Sequence, residues 1–260
     1  MRAALIQMDL AWEEWSANHA TAARHLKRAA DAGADLAILP EMFATGFSMD
    51  AAKIAQPPGG PTERWLLGMA RGLSMHLLAG VAETASPLPL NNALLVTPDG
   101  DIRRYSKIHP FSLAGEEKIF AGGMGVPTWE VAGARVTPQV CYDLRFPEPF
   151  RLAASGTDVY VVIANWPERR RAHWQTLLRA RAIENLAYVL GVNRVGDGGD
   201  LHYAGDSAAI SPWGETLASA AEIETVLLVD VDPRQVADAR SRFTALKDRR
   251  PESYTRPSGG

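Results

Sequence analysis

The amino-acid sequence predicts an α/β fold in which helices cover the faces of two packed β-sheets. Three features carry that prediction. Short apolar runs alternate with amphipathic stretches along the chain, the pattern that builds layers of strand and helix. A strand–helix–strand unit at residues 37–83 recurs at residues 161–195, and two similar halves point to two sheets. Polar residues stand at strand ends: Glu41, Cys141, and Asn165 with Trp166. Sites in α/β sheets gather beyond the carboxyl ends of strands.

Each element has its own signal. Residues 3–10, AALIQMDL, form a buried strand. Ser16 or Asn18 is placed to cap a helix through residues 19–34, with Arg24, Lys27 and Arg28 on its polar face and Gly33 ending it. Residues 35–41 are a short strand stopped by Pro40. Pro61 and Thr62 open a second helix that runs to Met75, and residues 76–83 return as a strand. Residues 91–109 make a hairpin around Pro98-Asp99-Gly100. Residues 111–127 are glycine-rich and are expected to form a surface loop. Two strands follow in residues 128–142, then a helix at 150–157 and a strand at 158–166. Residues 168–187 carry the strongest helical pattern. Residues 188–196, 205–216 and 224–233 supply the closing strands.

With 260 residues and 47% hydrophobic content, the chain is expected to be one domain, residues 1–260, ending in an extended tail at 246–260. A net charge of −3 argues against a general nucleic-acid binder. No apolar run has the length of a membrane span. One cysteine excludes an intrachain disulfide and a cysteine-based zinc site, and it fits a reducing cytoplasm.

Cys141 lies where an apolar run, residues 136–140, meets the charged turn of Asp143, Arg145 and Glu148. A lone cysteine is ordinarily a small core hydrophobe. At a strand end it can also reach a cation or a base, which a nucleophilic thiol needs. Six histidines are candidate bases; His19 and His25, on the first helix, are expected at the surface. Glu41 follows a buried strand and has apolar neighbours Pro40, Met42, Phe43 and Phe47. It is either a solvated loop residue or a partly desolvated carboxylate, and desolvation makes a stronger base. Lys107 ends a strand. Alone it reads as an edge lysine that discourages aggregation; beside a thiolate it is a fixed cation.

Three stretches, LPEMFATGFSM at 39–49, YSKIHPF at 105–111 and CYDLRFPE at 141–148, resemble the Glu, Lys and Cys motifs of the nitrilase superfamily of carbon–nitrogen hydrolases. NWP at 165–167, residues 173–196 and residues 203–215 extend the resemblance over nearly the whole chain. EMFATGFSM, CYDLRFP and KDRRPE most resemble the omega-amidase branch, which hydrolyses the side-chain amide of 2-oxo acids. The resemblance implies an α-β-β-α sandwich. It implies a homodimer joined through helices and a C-terminal segment, and a catalytic Glu41–Lys107–Cys141 triad. It also implies a second glutamate, for which Glu116 is preferred over Glu117.

The chemistry then expected is attack of the Cys141 sulfur on an amide carbonyl, with Glu41 moving protons. Lys107 and the Tyr142 backbone N–H would hold the oxyanion, and neither metal nor organic cofactor is called for. A 2-oxo acid amide ends in a carboxylate. Arg145 can bind it, or can pair instead with Asp143 or Glu148. Phe43, Met42 and Trp166 are candidates for the apolar wall. The run ERRRAHW, residues 168–174, is taken as a solvated face, with partner acids across a dimer interface as the other use of its arginines.

Overall fold

The computed structural model describes residues 1–254. Its elements, in order, are β1 (Arg2–Gln7), α1 (Trp15–Asp31), β2 (Leu36–Ile38), α2 (Ala51–Ile54), α3 (Pro61–Leu73), β3 (His76–Glu83), β4 (Leu90–Val96), β5 (Ile102–Ser106), β6 (Trp129–Val131), β7 (Ala134–Val140), α4 (Pro147–Ala153), β8 (Val159–Ala164), α5 (Arg171–Asn185), β9 (Tyr188–Asn193), β10 (Val195–Gly198), β11 (Leu201–Ile210), β12 (Thr216–Ala221), β13 (Thr225–Asp230) and α6 (Pro233–Arg242). One sheet runs β13-β1-β2-β3-β4-β5. The other runs β10-β11-β9-β8-β7-β6, with β12 paired to β11.

Strand alternation explains the layering. Leu5, Ile38, Leu78, Val161, Ile163 and Leu190 point into the core between the sheets. Their neighbours Ala4, Ile6, Ala37 and Leu77 face Leu26 of α1 and Leu66 of α3. Tyr160 and Val162 face Trp174 and Leu178 of α5. Successive side chains of a strand point to opposite faces, so strands apolar on both faces need a helix layer outside each sheet. The result is the expected α-β-β-α sandwich. Each fully buried Leu, Ile or Val contributes about 1.5–3 kcal/mol.

The two strand–helix–strand units are real. β2 pairs parallel with β3, and β8 pairs parallel with β9. The carboxyl ends of β2, β5, β7 and β8 therefore carry Glu41, Lys107, Cys141 and Asn165 toward one edge of the sandwich.

Several expectations are corrected. α1 begins at Trp15, with Glu14 before it and no side-chain cap. Asn18 is buried inside the helix, where its amide bonds Ala11 N, Ala11 O and Ala44 O at 2.8, 2.7 and 2.8 Å. His19 and His25 are buried, because the face they share with Ala22 and Leu26 turns into the protein. His19 stacks on Trp65 with ring centroids 4.4 Å apart. Residues 111–127 are not wholly a surface loop, since a 3₁₀ turn at Glu116–Lys118 buries Glu116 completely. The sequence carries no comparable signal for α2, β12 or α6. The expected tail at 246–260 is described only to residue 254, with one 3₁₀ turn at Pro251–Ser253; its remainder lies outside the described residues.

Candidate active site

Two tight turns set the reactive groups. Met42 and Cys141 both adopt left-handed backbone, φ 44° and 47°. Such a conformation is strained for residues with a Cβ and marks a position that its surroundings hold in place. Cys141 starts a 3₁₀ turn, Cys141–Arg145, directly at the end of β7. Glu41 is seated because β3 has Gly80 opposite it. A Cβ on Gly80 would lie 2.4 Å from Glu41 Cα and 2.6 Å from Met42 N.

Glu41, Lys107 and Glu116 are 0, 1 and 0% exposed, so their charges must be compensated by one another. Lys107 Nζ donates to Glu41 Oε1 at 3.0 Å and to Glu116 Oε2 at 2.8 Å. Asn91 Nδ2 bridges the same carboxylates, 2.8 Å from Glu41 Oε1 and 2.9 Å from Glu116 Oε1. The backbone N–H of Asn165 donates to Glu41 Oε2 at 2.8 Å, and Asn165 Nδ2 donates to the Glu41 carbonyl at 2.6 Å. Phe111 N–H completes the shell of Glu116 at 2.6 Å. Burial alone would weaken the Lys107 ammonium, but Glu41 and Glu116 outweigh it and the net shift is upward.

Cys141 is partly accessible on the wall of a cavity of about 360 Å³. Its thiol lies 3.9 Å from the Asn165 carbonyl. Burial pushes the thiol well above its ordinary pKa. The Glu41 charge adds to that, the Lys107 ammonium opposes it, and the Glu116 charge raises it further. The resting group is thus a neutral thiol beside a carboxylate able to take its proton. Tyr142 is the second residue of the 3₁₀ turn, where a backbone N–H has no partner within the turn.

The turn is tied to the lysine strand by Asp143, which is fully buried. Its Oδ2 accepts from Tyr105 O–H at 2.7 Å and Val140 N–H at 3.1 Å. Its Oδ1 accepts from His109 N–H at 2.9 Å and His109 Nδ1–H at 2.8 Å.

The structure brings together Glu41, Lys107, Cys141 and Glu116; Glu117 is exposed. Trp166 and Arg145 line the cavity with Trp12, Phe47, Met49 and Phe111. Arg145 does not pair with Asp143 or Glu148: Asp143 is occupied as above, and Arg145 Nη2 meets His173 Nδ1 at 3.1 Å. Met42 and Phe43 are corrections. Phe43 is fully buried against α1 and α3, and Met42 packs with Ile54 and Phe120, because the turn at Met42 sends both away from the cavity. Nothing in the sequence singles out Asn91. Asn165 stands out only as a strand-end residue, and no motif-level signal marks an asparagine such as Asn91 that bridges two carboxylates.

A family model described as carbon-nitrogen hydrolase matches residues 2–241. The chain belongs to the carbon–nitrogen hydrolase family. It is 38% identical to the omega-amidase YafV of Escherichia coli over 254 residues, 95% of this chain and 96% of the relative. It is 32% identical to the 2-oxoglutaramate amidase of Bacillus subtilis, covering 85% of this chain and 87% of the relative. Among solved structures it matches XC1258 from Xanthomonas campestris, a superfamily protein with an arsenic adduct in its active site. The TM-score is 0.92, with 37% identity and 99% coverage of both chains. An amidase from Nesterenkonia, seen with acrylamide added to its active-site cysteine, matches with TM-score 0.83 and 26% identity over 93% of this chain and 97% of that one. This member is a hydrolase of amide carbon–nitrogen bonds.

Proposed function

We propose that the protein is an omega-amidase, hydrolysing the side-chain amide of 2-oxo acids such as 2-oxoglutaramate and 2-oxosuccinamate. The observation that carries this reading is the buried Lys107 ammonium held by two carboxylates beside a thiol, at the edge of a small cavity that also holds arginine. Relatives named for this activity support the substrate class.

Glu41 takes the thiol proton as the Cys141 sulfur attacks the amide carbon. The oxyanion is met by Lys107 Nζ and the Tyr142 N–H. Glu41 passes its proton to the nitrogen, the C–N bond breaks, and ammonia leaves a thioester on sulfur. Water then attacks that thioester and gives a proton to Glu41. The C–S bond breaks, and the sulfur recovers its proton as the carboxylic acid departs. Glu116 and Asn91 fix Lys107 and Glu41 for both halves of the cycle. No step calls for a metal or organic cofactor.

We further read the chain as a single domain that works as a homodimer in the cytoplasm. Exposed Leu152, Ile183, Phe243 and Tyr254 line one groove between α4, α5 and the C-terminal segment, which supports a second copy there. A nucleophilic thiol also suits a reducing compartment. No described helix is long and apolar enough to cross a membrane.

The test is ammonia release from 2-oxoglutaramate, 2-oxosuccinamate, simple aliphatic amides, an N-carbamoyl amino acid and a nitrile, with Cys141→Ala as control. Fast release from the two oxo-acid amides, absent in Cys141→Ala, is expected. Release only from another compound would discard the omega-amidase reading, and a monomer by light scattering would discard the dimer.

A further inference from the structure

The run of arginines at 169–171 is not one solvated face. Arg171 is taken up inside the chain by Asp206 at 2.9 Å, Glu222 at 3.3 Å and Glu168 at 3.6 Å. Arg169 is exposed at the cavity mouth. Arg170, at the end of the 3₁₀ turn after β8, is partly buried and lines the cavity. Its guanidinium sits 5.2 Å from the Phe111 ring, while that of Arg145 sits 4.8 Å from Trp166 and 5.9 Å from Tyr142. Phe111 and Tyr142 are themselves in contact, with centroids 4.9 Å apart, and Trp166 Nε1 donates to the Arg170 carbonyl at 2.8 Å. Three aromatic rings thus hold two planar cations at one cavity, and cation–π contact of this kind orients a guanidinium without neutralising it.

Among the described residues, neither Arg145 nor Arg170 has a carboxylate within 4.0 Å. Asp200, the one carboxylate among the described residues that line the cavity, is exposed on the turn between β10 and β11. Burial, then Arg169, disfavours the charged form of Arg170; Cys141 acts the other way and Arg145 again against it. Two like charges sharing a partly desolvated cavity are unfavourable until an anion enters.

We propose that Arg170 and Arg145 form a two-guanidinium clamp for the carboxylate and adjoining oxo oxygen of the substrate, making Arg170 a specificity residue. The proposal rests on the amidase reading of the site and deepens it. Each guanidinium offers parallel N–H donors that match a carboxylate, and the second can also donate to a neighbouring carbonyl. An ammonium on that same carbon would face two cations. The clamp therefore favours amides of 2-oxo acids over amino-acid amides such as L-glutamine, and over neutral amides.

The test compares wild type, Arg170→Gln and Arg170→Lys on 2-oxoglutaramate, glutaramate, L-glutamine and pentanamide. For Arg170→Gln, kcat/KM on the two anionic amides is expected to fall about 10- to 100-fold, mostly through KM, with pentanamide unchanged. Arg170→Lys is expected to recover part of the loss. An equal loss on pentanamide, or no loss on 2-oxoglutaramate, would overturn the proposal.

Binding of 2-oxoglutarate to Cys141→Ala by calorimetry separates this test from the fate of the omega-amidase reading. Weakening by Arg170→Gln supports the clamp even if no oxo-acid amide is turned over. Equal affinity in both proteins, or no binding to either, refutes the clamp whatever the turnover.

Discussion

Asp143→Asn tests whether the cysteine turn is held by one buried carboxylate. All four groups around Asp143 are donors. Burial, with the Asp143 charge adding to it, pushes the Tyr105 phenol well above its ordinary pKa, so that hydroxyl remains protonated. Asparagine replaces one acceptor oxygen with an NH₂. If the NH₂ takes the Oδ2 position, the Tyr105 hydroxyl can rotate and accept from it, but Val140 N–H has no acceptor. If it takes the Oδ1 position, His109 Nδ1 can change tautomer, but His109 N–H has none. Either way one backbone N–H is stranded, fully buried at Val140 or partly buried at His109, costing about 1–3 kcal/mol, and two charge-assisted bonds become neutral. The sum is about 2–4 kcal/mol of stability, read as a shift of the urea midpoint at constant m-value. Val140 immediately precedes Cys141, so relief of the stranded group moves the nucleophile, and kcat should fall about 100-fold. A variant within about 0.5 kcal/mol of wild type and within about twofold in kcat would refute the reasoning.

Three further outcomes follow from the same geometry. Gly80→Ala places a methyl 2.4 Å from Glu41 Cα, so ammonia release should fall more than about 100-fold and the thermal midpoint should drop. Asn91→Ala removes the amide that bridges Glu41 and Glu116 without touching the cavity wall. Steady-state kinetics should therefore show kcat lowered about 10- to 100-fold with KM little changed. Burial lowers the pKa of His19 from 6.5 to about 4. Across that interval the unfolded chain binds a proton that the folded chain does not. Its contribution is complete above pH 6.5 and is lost as pH falls toward 4, by about 3 kcal/mol in all. Urea midpoints measured over this range should fall less steeply in His19→Phe, which keeps a ring against Trp65; identical slopes would remove His19 as the source.

The parallel strands were legible in the sequence because burial on both faces demands an unbroken apolar run, as in Tyr188–Asn193 and Val159–Ala164. α6 was not legible because only Val236 and Ala239 of its ten residues are buried, too narrow a stripe to stand out. β12, Thr-Leu-Ala-Ser-Ala-Ala, ends in four small residues with little strand propensity, and its pairing with β11 holds it in place. The reactive set was visible through residue types at strand ends, but the cavity around it was not. The reason lies in the left-handed turns at Met42 and Cys141. A turn of that kind beside a reactive residue separates it from its sequence neighbours, so Phe43 enters the helix layer while Glu41 meets Asn165, 124 positions away. The arginine run obeys the same logic. The change from 3₁₀ to α at Arg171 sends three adjacent guanidiniums to the cavity mouth, the cavity wall and an ion pair in turn. Composition reports three like charges there, whereas backbone geometry decides which of them an anion can reach.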